Sequence, residues 1–354
     1  MYYYALVFLS FISFNLQNLP IKKRQLHWLA NSYLFFVVIF FISCFRYGVG
    51  TDFFNYEAIF KYDHPIEPLF YELIQGVKYL GGNYSVFVAI VFALSFGIKL
   101  YAFKKLSYSK GLFLSIMLFC SFYYIAYDMN AIRQGLALSL TLLACYYAYI
   151  QRPYTYYTIC IIATLIHYTA FIFIPFYLLL NLKLSKRAVI ITILSCFILS
   201  GIGVFHLLTE MATNILGNNL IASKIQGYAA GDGSEQSALV SFGTIRRLFF
   251  FFLILFSYEK INAPQRIKQV IFWGGFITIV TYLLFAEVSY FATRLSVYYR
   301  IIECIWLSYF PFIFKKPGTR YVIIAFYLFY SLLQVHSALS ANNNNLLPIQ
   351  TIFF

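Results

Sequence analysis

The stretch Phe45-Arg46-Tyr47-Gly48-Val49-Gly50-Thr51-Asp52-Phe53-Phe54-Asn55-Tyr56 gathers an arginine, two glycines, an aspartate and tyrosines at the end of a long apolar run. A helix end at a membrane boundary needs only aromatics or a snorkelling Lys or Arg. Here the glycines let the backbone bend and approach a ligand closely, and Arg46 and Asp52 supply charge. The same residues also fit a plain turn in which Arg46 and Asp52 pair only with each other. Other ionisable residues stand beside or inside apolar runs. Asp128-Met129-Asn130-Ala131-Ile132-Arg133-Gln134 falls at a turn, Arg246 and Arg247 open a later run, and Glu287 closes the next. Arg294, Arg300 and Glu303 lie within residues 291–314, and His167 sits in an apolar stretch. Charges at bilayer depth cost about 2.5 to 3.5 kcal/mol each on insertion scales, so those that persist usually face an interior cavity.

The elements that position these residues follow from composition. Of 354 residues, 62% are hydrophobic and only 11% charged, against roughly 25% charged in soluble chains. Runs of about 20 apolar residues recur, without the short alternating segments of a transmembrane barrel. The expected fold is an all-α polytopic integral membrane protein. The net charge of +14 lies mostly in short breaks between runs, the positive-inside pattern, so nucleic acid is not an expected partner and membrane lipid is. The six cysteines are scattered without ligand-like spacing and read as small membrane residues. The N-terminal run lacks a basic start and a cleavage site and reads as a retained helix.

Membrane helices are expected near 2–19, 27–45, 83–103, 111–127, 131–150, 188–208, 243–258, 268–287, 291–314 and 320–339, about 10–11 spans in one transmembrane domain over 1–354. The breaks at Lys22 to Arg24, Lys104 to Lys110, Arg152, Lys183 to Arg187, Lys260 to Lys268 and Lys315 to Arg320 are expected on the cytoplasmic side. Basic breaks then flank residues 154–181 on both sides, which makes that segment a re-entrant helix pair bent near Leu165 to Thr169; a single long helix is the competing reading. Bent backbone at that depth must line a protein-buried or watery cavity. Residues 46–82, with short amphipathic helices at 53–62 and 68–80, and the long loop 209–242 fall outside the cytoplasm, as do both termini.

Each polar group also has a purely structural reading. Arg300 and Glu303 can neutralise each other at i, i+3. Asn130 reads as an N-cap that leaves Asp128 and Arg133 securing a turn. Arg247 can snorkel, and His167 can be a hydrogen-bonded packing residue. Together these explain poorly why the arginines crowd toward the outer face against the positive-inside trend. Such a cluster wants an anion, and the planar fork of arginine suits phosphate. No Asp-x-Asp cluster offers a metal site. Beside lipid, the ligand class is a lipid-linked phosphate or diphosphate, with boundary tyrosines available for stacking on sugar.

The order Arg46, Gly48, Gly50, Asp52, Tyr56 resembles the EpsG-type polysaccharide polymerases, a branch of the Wzy-like O-antigen and exopolysaccharide polymerases. The resemblance continues through Glu67-Pro68-Leu69-Phe70, Gly82-Asn83, Ile132-Arg133-Gln134-Gly135-Leu136-Ala137 and His167-Tyr168-Thr169-Ala170 followed by Pro175. It extends to the Arg294 to Arg300 region, which contains Tyr298, and to the Asn-rich tail. It implies a GT-C-like fold in the bacterial inner (cytoplasmic) membrane, with the active site facing the periplasm. The implied reaction joins oligosaccharide repeat units carried on undecaprenyl diphosphate, without cofactor or metal, and a chain-length regulator protein is a candidate partner. On this reading His167 or Asp52 is the base and Arg133 stabilises the departing diphosphate. Arg246, Arg247, Arg294 and Arg300 are further substrate contacts, and Arg46, Tyr56, Glu67, Asp128 and Tyr298 complete the substrate-binding set. An O-antigen ligase, a lipid-linked oligosaccharide flippase and a membrane acyltransferase are the rival readings.

Overall fold

In the computed structural model, residues 2–18, 34–35, 37–203, 241–286, 289–341 and 346 are described. Every expected apolar run contains helix, and no strand occurs among the described residues. The chain divides into two compact units, residues 1–174 with 261–264 and 304–354, and residues 175–260 with 265–303. Almost all of the expected outer loop 209–242 lies outside the described residues, as do Lys22 to Arg24, Glu287 and the tail asparagines.

The first unit contains α1 (Tyr2–Gln17), α2 (helical at 37–44), α3 (Phe53–Tyr62), α4 (Pro68–Tyr79) and α5 (Tyr84–Leu106). It continues with α6 (Leu112–Ser121), α7 (Ile132–Tyr149) and α8 (Pro153–Ile166). Within residues 46–82 the chain forms the short helices α3 and α4. Local sequence sets the ends. Asn83 Oδ1 accepts from Val86 N at 3.1 Å to start α5, and Lys104 and Lys105 sit in its last turn, favourable against the helix dipole. Pro68 and Pro153 occupy first-turn positions, where no N–H is needed. α7 packs between α5 and α8, and α1 packs on α6.

The second unit contains α9 (Phe176–Leu179), α10 (Lys186–Gly201), α11 (Phe242–Ser257), α12 (Gln265–Leu284) and α13 (Ser289–Arg300). α12 packs against α10, α11 and α13. α14 (Ile302–Tyr309) follows α13 and α15 (Pro317–Ala341) closes the described chain. Among the described residues, Tyr84–Leu106, Gln265–Leu284 and Pro317–Ser340 are long and apolar enough to cross a membrane alone.

Two expected single spans are broken. Run 291–314 is interrupted at Ile301, between α13 and α14, at a point where no Pro or Gly marks a stop. Run 111–127 ends as α6 at Ser121, and a π-helical turn follows at Tyr124–Asp128. There Met129 N donates to Tyr124 O at 2.9 Å and Ala131 N to Ala126 O at 3.2 Å. The widened turn shifts the side chains after it relative to an α-helical register.

In residues 154–181 the helix stops at His167, whose backbone is extended at φ −153° and ψ 112°. Residues Tyr168–Phe173 form a 3-10 turn. Tyr156 Oη donates to the carbonyl of Phe173, so this stretch folds back along α8 and a single long helix is excluded.

Candidate active site

The Arg46 to Asp52 stretch docks onto the π-helical turn. Gly48 and Gly50 have φ of 63° and 105°, the left-handed region that favours glycine. A Cβ on Gly50 would stand 2.9 Å from the carbonyl oxygen of Met129, so the approach is too close for any side chain. Asn130, expected as an N-cap, instead uses Oδ1 to accept from Thr51 Oγ1 at 3.0 Å and from Asp52 N at 3.1 Å. Arg46 is 4% exposed. Its Nη1 donates to the carbonyl oxygens of Asp128 at 3.0 Å and Ser43 at 3.3 Å. Arg46 therefore clamps backbone, a different task from the expected substrate contact or pairing with Asp52.

The docked turn presents α7, and Arg133 lies in its first turn. Four expected residues meet there from four elements. Arg133 Nη1 donates to Glu67 Oε2 at 2.5 Å, and Arg133 Nε donates to Tyr56 Oη at 3.3 Å. Glu67 Oε1 lies 3.1 Å from His167 Nδ1. Tyr56 comes from α3, Glu67 from the cap of α4, Arg133 from α7 and His167 from the break after α8. The Tyr56 ring, 5% exposed, lies under the Arg133 guanidinium at 5.3 Å and beside Phe70. Its faces are thus occupied by protein rather than open to sugar. Asp52 precedes Tyr56 by one helical turn, which puts both on one face of α3. Nη2 of Arg133 makes no hydrogen bond among the described residues, and the side chain remains 23% exposed. It is a cationic donor open to an anion.

Burial pushes the Glu67 carboxyl up, but the hydrogen bond to His167 and the Arg133 charge outweigh it and hold the pKa at about 2, below the ordinary 4.5. Ionised Glu67 therefore contributes roughly 3 kcal/mol to stability. A depressed carboxylate gives its full contribution above its unfolded pKa and loses it as pH falls through the folded value. Glu67→Gln is therefore expected to be less stable than the natural protein above about pH 4.5, where Glu67 is ionised in both folded and unfolded chains. The difference should shrink as pH drops from about 4.5 toward 2, as read by urea unfolding in detergent.

Asp128, expected to bind substrate, faces inward instead. Lys99 Nζ lies 2.8 and 2.9 Å from its two carboxylate oxygens, 2.7 Å from Ser95 Oγ and 2.9 Å from the carbonyl of Gly135. Ser95 Oγ donates to Asp128 Oδ1 at 2.5 Å. The pair is enclosed, with side-chain exposures of 0% and 1%. Lys99 and Ser95 went unrecognised in the sequence, although a lysine amid an apolar run, four residues after a serine, was a readable signal. A Cβ on Gly135 would lie 2.6 Å from the Tyr127 carbonyl oxygen. Gly135→Ala is therefore expected to cost about 1–3 kcal/mol, seen as a lowered melting temperature in detergent.

The second unit holds its own arginine group. Arg246 Nη1 lies 3.8 Å from Glu303 Oε2, so the carboxylate expected beside Arg300 pairs with another helix. Arg247 is 6% exposed, does not snorkel, and lies 3.6 Å over the Tyr282 ring with Nη1 donating to the Gly243 carbonyl at 3.0 Å. Its Nε is buried without a hydrogen-bond partner among the described residues. Arg300 is buried, Arg294 half-buried and Tyr298 fully buried. Arg247 and Arg300 are thus buried and Arg246 half-buried, with Arg246 paired to Glu303; their guanidinium groups suit an anion. Among the described residues no group of His, Cys, Asp and Glu could hold a metal.

The model of the EpsG family matches residues 30–351, nearly the whole chain. The chain belongs to the EpsG family. No curated protein and no solved structure matches it. EpsG membership makes it a membrane protein of the polysaccharide polymerase type. The matched range contains all four residues of the Tyr56, Glu67, Arg133 and His167 group. In this EpsG chain the motif that begins at Arg46 builds the support on which that group stands.

Proposed function

We propose that this EpsG-family chain joins oligosaccharide repeat units carried on undecaprenyl diphosphate, at the periplasmic face of the inner membrane. The observation that carries the reading is the convergence of His167, Glu67 and an open Arg133 donor on one polar group. A terminal hydroxyl of one lipid-linked repeat attacks the anomeric carbon of the growing chain. The new carbon–oxygen bond forms as the bond from the anomeric carbon to the phosphate oxygen breaks. The hydroxyl proton passes to Nε2 of His167, and the electron pair leaves with undecaprenyl diphosphate. Arg133 stabilises the charge that develops on the leaving group, a preorganised electrostatic role that needs no metal. Asp52, one turn from Tyr56, orients the attacking hydroxyl.

The fold-back after α8 supports the re-entrant reading of 154–181, in which His167 marks the floor of the cavity. Arg246, Arg247, Arg294 and Arg300 have chemistry suited to phosphate and are further contacts for a diphosphate on this reading. A GT-C-like helix arrangement belongs to the same proposal.

The test is purified protein in liposomes with a synthetic undecaprenyl-diphosphate-linked repeat unit and no added partner. The expected result is a ladder of polymer with one undecaprenyl diphosphate released per linkage. Movement of the repeat unit across the bilayer without bond formation would assign a flippase instead, and transfer to an unrelated acceptor would assign a ligase.

A further inference from the structure

We propose that Glu67 is a positioning residue that fixes the proton on Nδ1 of His167 and so makes Nε2 its basic atom, an inference that rests on reading His167 as the base. Glu67 caps α4, yet its side chain makes no capping hydrogen bond to that helix. The first helical position is Pro68, which has no N–H to satisfy. The carboxylate is thereby released to reach two other elements, one with each oxygen. Oε2 accepts from Arg133 Nη1. Arginine can only donate, and the short contact marks an ionised, acceptor-only carboxylate. Oε1 is then an acceptor as well, so the His167 nitrogen beside it must carry a hydrogen. In the neutral ring Nε2 is left as the acceptor. In the charged ring Nδ1 keeps its hydrogen, so Nε2 is the atom that gains and loses the proton in either case.

The backbone of His167 is tied on both sides, its N–H to the Ala163 carbonyl at 2.9 Å and its carbonyl to Ala170 N at 2.9 Å. The main chain therefore holds the residue in place, and Glu67 decides which ring nitrogen is which. The acceptor hydroxyl of a sugar would meet a lone pair only with that choice made.

Glutamine, almost the same size as glutamate, makes the opposite choice. Its amide oxygen must stay on Arg133, which accepts nothing, and its NH2 then faces Nδ1. Nδ1 becomes the acceptor and Nε2 carries the hydrogen. Glu67→Gln is thus expected to reverse the tautomer and to lower kcat on the synthetic lipid-linked repeat unit by about 10³-fold, with KM changed by less than about 3-fold; a wrong tautomer in the serine protease triad has a comparable effect, about 10⁴-fold. Glu67→Asp is shorter but keeps two acceptors, and should recover more activity than Gln. A role in packing alone would rank the two variants the other way.

The deciding measurement is nitrogen-15 NMR of the purified protein with labelled histidine, in which the His167 signals are those missing from His167→Gln. The expected result is a neutral ring protonated at Nδ1 in the natural protein and at Nε2 in Glu67→Gln. Protonation at Nε2 in the natural protein overturns the proposal, even if Glu67→Gln fails to fold. Polymerisation by a protein with that tautomer leaves the polymerase reading standing and removes this one. An Nδ1-protonated ring in a protein that forms no polymer does the reverse.

Discussion

Arg133→Ala is expected to stop polymer lengthening, with a loss of about 10²- to 10³-fold in turnover per folded molecule, alongside some loss of stability because the Glu67 carboxylate is left without its cation. Removing a donor preorganised at a developing negative charge costs rate rather than binding of the glycan, so kcat should fall and KM should hold. Arg133 gives Nη1 to Glu67 and Nε to Tyr56, and Nη2 makes no hydrogen bond among the described residues. Lysine is a point charge without a planar fork and cannot span the same three directions. Arg133→Lys should therefore stay at least about 10-fold down. Polymer length on gels and single-turnover rates in liposomes would check both variants. Full-length polymer from Arg133→Ala would remove the residue from the chemistry.

Lys99→Met should have the larger effect on folding. The substitution leaves the Asp128 carboxylate enclosed without its cation, and breaking a buried pair from one side costs about 3–5 kcal/mol. The variant is expected to be depleted from membranes, as read by immunoblot and by detergent melting temperature. A second change, Asp128→Leu, removes the stranded charge and should restore much of the level, because a buried pair is often replaceable by apolar groups of similar size. Asp128→Leu alone should be as damaging as Lys99→Met, since it strands the lysine. Equal levels for Lys99→Met and the natural protein would show that the pair carries no stability.

The membrane-helix class was written in the apolar runs, because burying backbone in lipid leaves helix as the only continuous solution for such segments. Asn83 and Ser185 are helix-capping residue types, and Pro153 is a residue type favoured in a first turn. The interruptions at Ile301 and Ser121 were not, since hydropathy is blind to a turn that breaks pattern without Gly or Pro. The bend at His167 was legible from charge on both flanks. For the site, residue types selected Arg133 and His167 and the family resemblance added Tyr56 and Glu67, but their pairing depends on contacts between positions up to 100 residues apart. Arg46 and Asp128 were selected on the same grounds and turned inward. A charged side chain that meets a ligand and one that staples backbone have the same sequence signature, and only the position of Lys99 and of the Asp128 carbonyl separates them.

The hydrogen bond from Lys99 to the Gly135 carbonyl joins the middle of α5 to the turn of α7 that carries Arg133. It acts as a vertical stop. The position of Arg133 is fixed relative to α5, a rod of protein. A thinner or thicker bilayer tilts helices or deforms around them at modest cost. Here it would carry α5 and α7 together and leave the spacing of the polar group unchanged. If the proposed polymerisation takes place at this group, its chemistry would stay at one height while a growing polymer pulls on its surroundings.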